Sequence, residues 1–147
     1  MFVDRVEVSF DSAHRLLDYD GKCASPHGHT YRAEVFVGRT ELDDLGLAVD
    51  FGDIKSPLKH WIDTNWDHAF LLNDRDQSLI GALQTIPESK LYCFPGRNPS
   101  AEVMAYTLYR VMSLELGCDL LRIRVWEGSQ YADYIPDSHD GEKGAHR

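Results

Sequence analysis

No apolar run in this 147-residue chain approaches the roughly twenty residues needed to cross a bilayer as a helix. The first ten residues, MFVDRVEVSF, carry Asp4 and Arg5 and have no apolar core, so they do not form a signal peptide. Basic residues are scarce. Fifteen Lys and Arg stand against 24 Asp and Glu, a net charge of −9, and no basic block stands out. Binding a phosphate backbone needs clustered Lys and Arg, which argues against a nucleic-acid partner. Cysteine is also rare. Cys23, Cys93 and Cys118 are odd in number and widely spaced, which argues against a disulfide framework and for a reducing, cytoplasmic compartment. Repeats and linkers are absent. With 43% hydrophobic and 27% charged residues, the composition is that of one ordinary globular domain, expected over 1–135, with a loose tail over 136–147.

Residues 2–11 alternate, with Phe2, Asp4, Val6, Val8 and Phe10 on one parity, and read as a strand with one wet face. Residues 29–40 repeat the theme through Tyr31, Ala33, Val35 and Val37. The two predict an antiparallel pair joined by a long connection. Phe51, Ile54, Leu58, Trp61 and Ile62 have helical spacing, but Pro57 would cost about 3 kcal/mol inside a helix, which predicts a start near Ser56. Residues 73–97 show no period and read as a long loop. Asn98, Pro99 and Gly117 mark the ends of a second helix. LLRIRVWE, 120–127, alternates as a strand, and YADYI extends the sheet after a bulge or turn. The order predicts an α+β domain, an antiparallel four-stranded sheet with two helices on one face.

The chemistry concentrates in CASPHGH, 23–29. On extended backbone, His27 and His29 point to one side. Pairing of the strands brings His14, just past the first strand, beside them, and Gly28 allows a close backbone approach. Three neutral imidazoles suit zinc, and three protein ligands with an open position is the pattern of a catalytic site; a chance cluster is the alternative. Cys23 has two readings, fourth ligand of a closed structural zinc or a free thiol beside the metal acting as base or nucleophile. Asp67 and His68 are an ordinary surface pair or a proton relay for that thiol. Glu127 is a solvated strand end or a two-oxygen acceptor for a planar ligand bearing N–H groups.

SFDSAHRL, CASPHGHTYRAEVFV, VDFGDIK, WDHAFLLND, NPSAEVMA and VWEGSQYADY, in this order, resemble the family of 6-pyruvoyl- and 6-carboxy-tetrahydropterin synthases over about residues 3–134. The combination of AHRL, C-x3-HGH and DH is the specific part. The resemblance implies that His14, His27 and His29 hold a catalytic Zn2+. It makes Cys23 the general base, working with Asp67 and His68, and Glu127 the anchor of the pterin ring, with Ser100 helping to hold it. It implies the tunnelling fold, in which subunits pool their sheets into a barrel, here a homohexamer built as a dimer of trimers with sites between subunits. The substrate would be 7,8-dihydroneopterin triphosphate. The three-residue gap between Cys23 and His27 resembles the carboxy branch, which leads to queuosine and other deazapurines, and not the pyruvoyl branch of biopterin synthesis. Two departures stand out: a longer stretch from Asn73 to Arg97, and Gly128 where Thr is usual. Arg15, Lys22 and Arg32 are candidate sources of positive potential for the triphosphate. The rival classes are a non-catalytic zinc-binding module with Cys23 as fourth ligand, and a zinc hydrolase on the same scaffold.

Overall fold

The computed structural model describes residues 1–137, apart from the side chain of Cys118; the rest of the expected tail lies outside the described residues. The expected strand pair forms as β1 (Phe2–His14) and β2 (His27–Arg39), antiparallel in unbroken register from Phe2↔Arg39 to His14↔His27. Both strands run further than their alternation indicates, so the histidines lie in the sheet and not in the connection. β5 (Leu120–Glu127) pairs with β2 and β6 (Gln130–Tyr134) with β5, all antiparallel. Gly128, at φ +61°, begins the two-residue turn between them, which accounts for glycine at that position.

Among the described residues the sheet has six strands and not four. The stretch 73–97 is not a long loop: α2 (Gln77–Gln84) and β4 (Leu91–Phe94) lie within it. Together with β3 (Ala69–Asn73) it forms a β–α–β unit whose strands run parallel to the end of β1, so the sheet is mixed, in the order β4-β3-β1-β2-β5-β6. An eight-residue helix and a four-residue strand are too short to print a period.

Two longer helices, α1 (Phe51–Asn65) and α3 (Ala101–Leu116), cover one face, α1 against β1 and α3 against β5 and β6. With α2 the described residues form three α-helices, one more than expected. α1 does not begin at Ser56. Asp50 caps it by accepting the Gly52 amide at 2.7 Å, and Pro57 lies inside it. The proline's cost of about 3 kcal/mol is outweighed by Ile54, Leu58 and Ile62, all fully buried, each contributing roughly 1.5–3 kcal/mol. The core face of β1 reads Val6, Val8, Phe10, and that of β2 reads Val37, Val35, Ala33, Tyr31. At one end of the sheet both rows turn polar, and there the candidate site forms.

Candidate active site

Register places the three histidines. His14 lies opposite His27, Ser12 opposite His29 and Phe10 opposite Tyr31, so all three imidazoles extend the apolar rows of the helix-covered face. A slip of one residue would send β2's pair to the other face. Their ligand atoms lie within 4.8 Å of one another, and this is the one such group of His, Cys, Asp and Glu among the described residues. His14 is 2% exposed. A Cβ at Gly28 would sit 3.4 Å from the Ser12 carbonyl oxygen, at the near limit of ordinary contact, and Gly28 lines a cavity wall.

The tautomers follow from the neighbours. His14 Nδ1 is 2.8 Å from the Pro99 carbonyl and His27 Nδ1 is 2.6 Å from the Ser25 carbonyl. A carbonyl only accepts, so each Nδ1 carries the proton and each neutral ring turns a bare Nε2 inward. Those two Nε2 atoms are 3.1 Å apart. Glu127 Oε1 lies 3.0 Å from His14 Nε2 and 3.2 Å from His29 Nε2. His29 Nε2 is buried and makes no hydrogen bond. Burial lowers the pKa of His29 and outweighs the Glu127 carboxylate beside it, which keeps this ring neutral. When protonated, His14 hydrogen-bonds Glu127 and holds its carboxyl below the usual range, against burial, with the other two rings adding to the effect. With the rings neutral, imidazole lone pairs converge beside that carboxylate, an arrangement that fits a cation. Three imidazole nitrogens, two of them on rings whose second nitrogen is fixed by a carbonyl, suit zinc.

The other expected residues divide. Asp67 and His68 do form a pair, with His68 Nδ1 2.9 Å from Asp67 Oδ2. The pair lies along the β3 edge of β1: the Asp11 amide donates to Asp67 Oδ1 at 3.0 Å, and the His68 amide donates to the Asp11 carbonyl at 2.7 Å. His68 adopts φ +58°, a left-handed conformation held by these bonds at the turn from α1 into β3. Burial works against ionisation of Asp67, but the Asp11 amide and His68 leave its pKa below the ordinary value. His29 and His68 line one cavity of about 730 Å3 with Gly28, Thr30, Phe70 and Lys90. Cys23 is elsewhere, half-buried on a short 3-10 turn, Lys22–Ala24, with its carbonyl accepting from the Leu16 amide at 2.8 Å. It is outside the metal-ligating group, and among the described residues no hydrogen bond joins it to Asp67 or His68. Ser100 caps α3, its hydroxyl accepting from the Val103 amide at 3.3 Å.

Two candidate cations are committed elsewhere. Arg32 faces the helix-free side, 4.3 Å over the Trp126 ring and 3.6 Å from Glu7. Arg15 forks onto the buried carboxylate of Asp76, with Nε 2.6 Å from Oδ2. Asp76 also caps α2 by accepting the Leu79 amide at 3.2 Å. Arg15 depresses the Asp76 pKa, so the pair stabilises the fold at and above the normal carboxylate range of about 4 and less as pH falls through the folded-state value. Asp76→Ala is expected to cost about 2 kcal/mol or more near pH 7 in urea unfolding, with the difference from wild type shrinking at pH 3 and below. A difference that does not change with pH would remove the ionised pair from the account.

A second hollow, about 790 Å3, lies at the far end of the sheet beside Met1, Asp43, Asp50 and Asp119; it has no imidazole or thiol on its walls. The imidazole cluster is at the opposite end. Sequence reasoning missed Pro99, Ser25, Asp11 and Asn98. The first three act wholly or partly through main-chain atoms, which leave no mark in a sequence, and Asn98 reads in the sequence only as a helix start.

The 6-pyruvoyl tetrahydropterin synthase family matches residues 5–135. The 6-carboxy-5,6,7,8-tetrahydropterin synthase of Haemophilus influenzae is 35% identical over 134 residues, 86% of this chain and 93% of its own. That of Rickettsia conorii is 36% identical over 98 residues, 67% of this chain and 70% of its own. Among solved structures, Caenorhabditis elegans 6-pyruvoyl tetrahydropterin synthase superposes with a TM-score of 0.66 at 20% identity, covering 92% of this chain and 96% of its own. An uncharacterized protein of Wolinella succinogenes reaches 0.73 at 17% identity, covering 93% and 100%. At that identity the structures show the fold alone. The fold and the family match define the class, that of the tetrahydropterin synthase enzymes. The chain belongs to the 6-pyruvoyl tetrahydropterin synthase family.

Proposed function

We propose that this chain is a zinc-dependent 6-carboxy-5,6,7,8-tetrahydropterin synthase, acting on 7,8-dihydroneopterin triphosphate and water to yield 6-carboxytetrahydropterin, acetaldehyde and triphosphate, on the path to deazapurines. The observation that carries the reading is the convergence of bare imidazole nitrogens, His14 Nε2 and His27 Nε2 at 3.1 Å, with the unpartnered His29 Nε2 and the Glu127 carboxylate beside them. The names of the Haemophilus and Rickettsia relatives and the three-residue gap from Cys23 to His27 favour the carboxy branch.

His14, His27 and His29 hold the zinc, which when bound polarises side-chain oxygens of the substrate. Glu127 turns its two oxygens to the amino group and ring N–H of the pterin, with Ser100 at the start of α3 as a further contact. Cys23 removes a proton from the substrate side chain. Asp67 orients His68 through Nδ1 and leaves Nε2 free to move a proton. Cys23 and the Asp67–His68 pair, which no hydrogen bond joins among the described residues, are combined from neighbouring subunits of a hexamer. The group of three histidines leaves Cys23 out, which favours this reading over a closed four-ligand zinc module.

The test is product identification. Purified protein with zinc and 7,8-dihydroneopterin triphosphate is expected to release acetaldehyde and triphosphate in equal amounts. Triphosphate without acetaldehyde, and a pterin that keeps its side chain, would assign the 6-pyruvoyl reaction instead. Zinc binding with no turnover would favour the binding module.

A further inference from the structure

His14 is the most buried of the three imidazoles, and its direction depends on a single main-chain acceptor, the Pro99 carbonyl at 2.8 Å. Pro99 lies 85 residues downstream and belongs to the approach to α3, so something must hold these two parts of the chain in register. The side chain of Asn98 does so. Its Oδ1 accepts the Leu17 amide at 2.9 Å and its Nδ2 donates to the Leu17 carbonyl at 3.0 Å, an amide-to-peptide pairing that imitates one rung of a sheet. The same Oδ1 accepts from Asn73 Nδ2 at 3.1 Å, and Asn73, 7% exposed, ends β3. Leu17 is three residues beyond His14, and its neighbour Leu16 closes the loop onto Cys23 at 2.8 Å. The segments following β1, ending β3 and leading into α3 are therefore tied together at one amide, and the turn bearing Cys23 is joined to the adjoining Leu16.

We infer that Asn98 is a positioning residue for the metal site, a clamp that keeps the Pro99 carbonyl on His14 Nδ1 and so keeps His14 Nε2 bare and aimed at the cation. The inference rests on the metal reading above and adds to it a residue that touches neither metal nor substrate. Asparagine is required by its chemistry. The pairing with Leu17 needs one acceptor and one donor on a short arm; aspartate lacks the donor, and glutamine sets the amide one carbon further out. A lost supporting contact of this kind typically weakens metal binding by roughly 10–100-fold.

The experiment compares zinc dissociation constants, measured by chelator competition, for wild type, Asn98→Ala and Asp50→Ala. Asp50→Ala removes the α1 cap without touching the clamp, and so controls for general loss of stability. Asn98→Ala is expected to bind zinc about 10-fold to 100-fold more weakly. Asp50→Ala is expected to melt at a lower temperature and bind zinc as wild type does. Imidazole 15N NMR of the metal-free proteins gives a separate readout: His14 should be protonated at Nδ1 in wild type and a tautomer mixture in Asn98→Ala. Unchanged affinity and tautomer in Asn98→Ala overturns the clamp, as does an equal loss of affinity in Asp50→Ala. A wild type that holds no zinc yet keeps the Nδ1 tautomer, with the mixture in Asn98→Ala, overturns the metal reading but leaves Asn98 as the residue that orients His14.

Discussion

The His29→Ala variant is expected to lose its zinc and its turnover while keeping its fold. His29 Nε2 makes no hydrogen bond in the folded protein, so removing the ring leaves no buried partner stranded. What is lost is one of three ligands, which should weaken zinc binding by more than the roughly 10–100-fold typical of a supporting contact. His14→Ala should empty the site too, but with a different signature. Its Nδ1 satisfies the Pro99 carbonyl deep in the protein, and an orphaned buried acceptor costs about 1–3 kcal/mol, so this variant should also melt earlier. Elemental analysis and thermal unfolding of the two variants separate the contributions. About one zinc per chain in wild type, nearly none in either variant and a lower melting temperature only in His14→Ala is the expected pattern. Retention of zinc by both would end the assignment.

Cys23→Ala is expected to keep zinc and lose turnover by roughly a hundredfold to ten-thousandfold, the range for a positioned acid or base. Were Cys23 a ligand, the same change would remove metal and stability together, because a structural zinc contributes directly to folding. The location of Cys23 on the Lys22–Ala24 turn, outside the histidine group, favours the first outcome. Asp67→Asn should likewise keep zinc and slow turnover, since the carboxylate that holds His68 Nδ1 at 2.9 Å becomes an amide. Subunit mixing tests the shared site. If Cys23 and Asp67 meet across an interface, refolding Cys23→Ala together with Asp67→Asn should regenerate some intact sites from two inactive parents. No recovery would place both residues within one subunit's site or remove one from the mechanism.

The strands β1 and β2, the helix face of Ile54, Leu58 and Ile62 and the helix end at Gly117 were legible because each is written in a local period or a cap, whereas the cap of α3 is Ser100 and not the expected Asn98, whose side chain is engaged with Leu17. The three histidines were legible for the same reason: HxH on extended backbone shares a face, and a paired strand brings His14 to it. Other features were not local. β4 and α2 are too short to carry a period, and β4 is held by parallel pairing with β3. α1 runs through Pro57 because burial against the sheet outweighs a cost that propensity alone would not accept. The directions of Arg15 and Arg32 depended on which face and which partner the fold supplied. The tautomer of His14 is set by a carbonyl 85 residues away, held there by the amide of Asn98. Residue types and spacing determined the ligand chemistry, whereas the proton positions that would let those ligands take a cation were decided by main-chain atoms, which have no letter in the sequence.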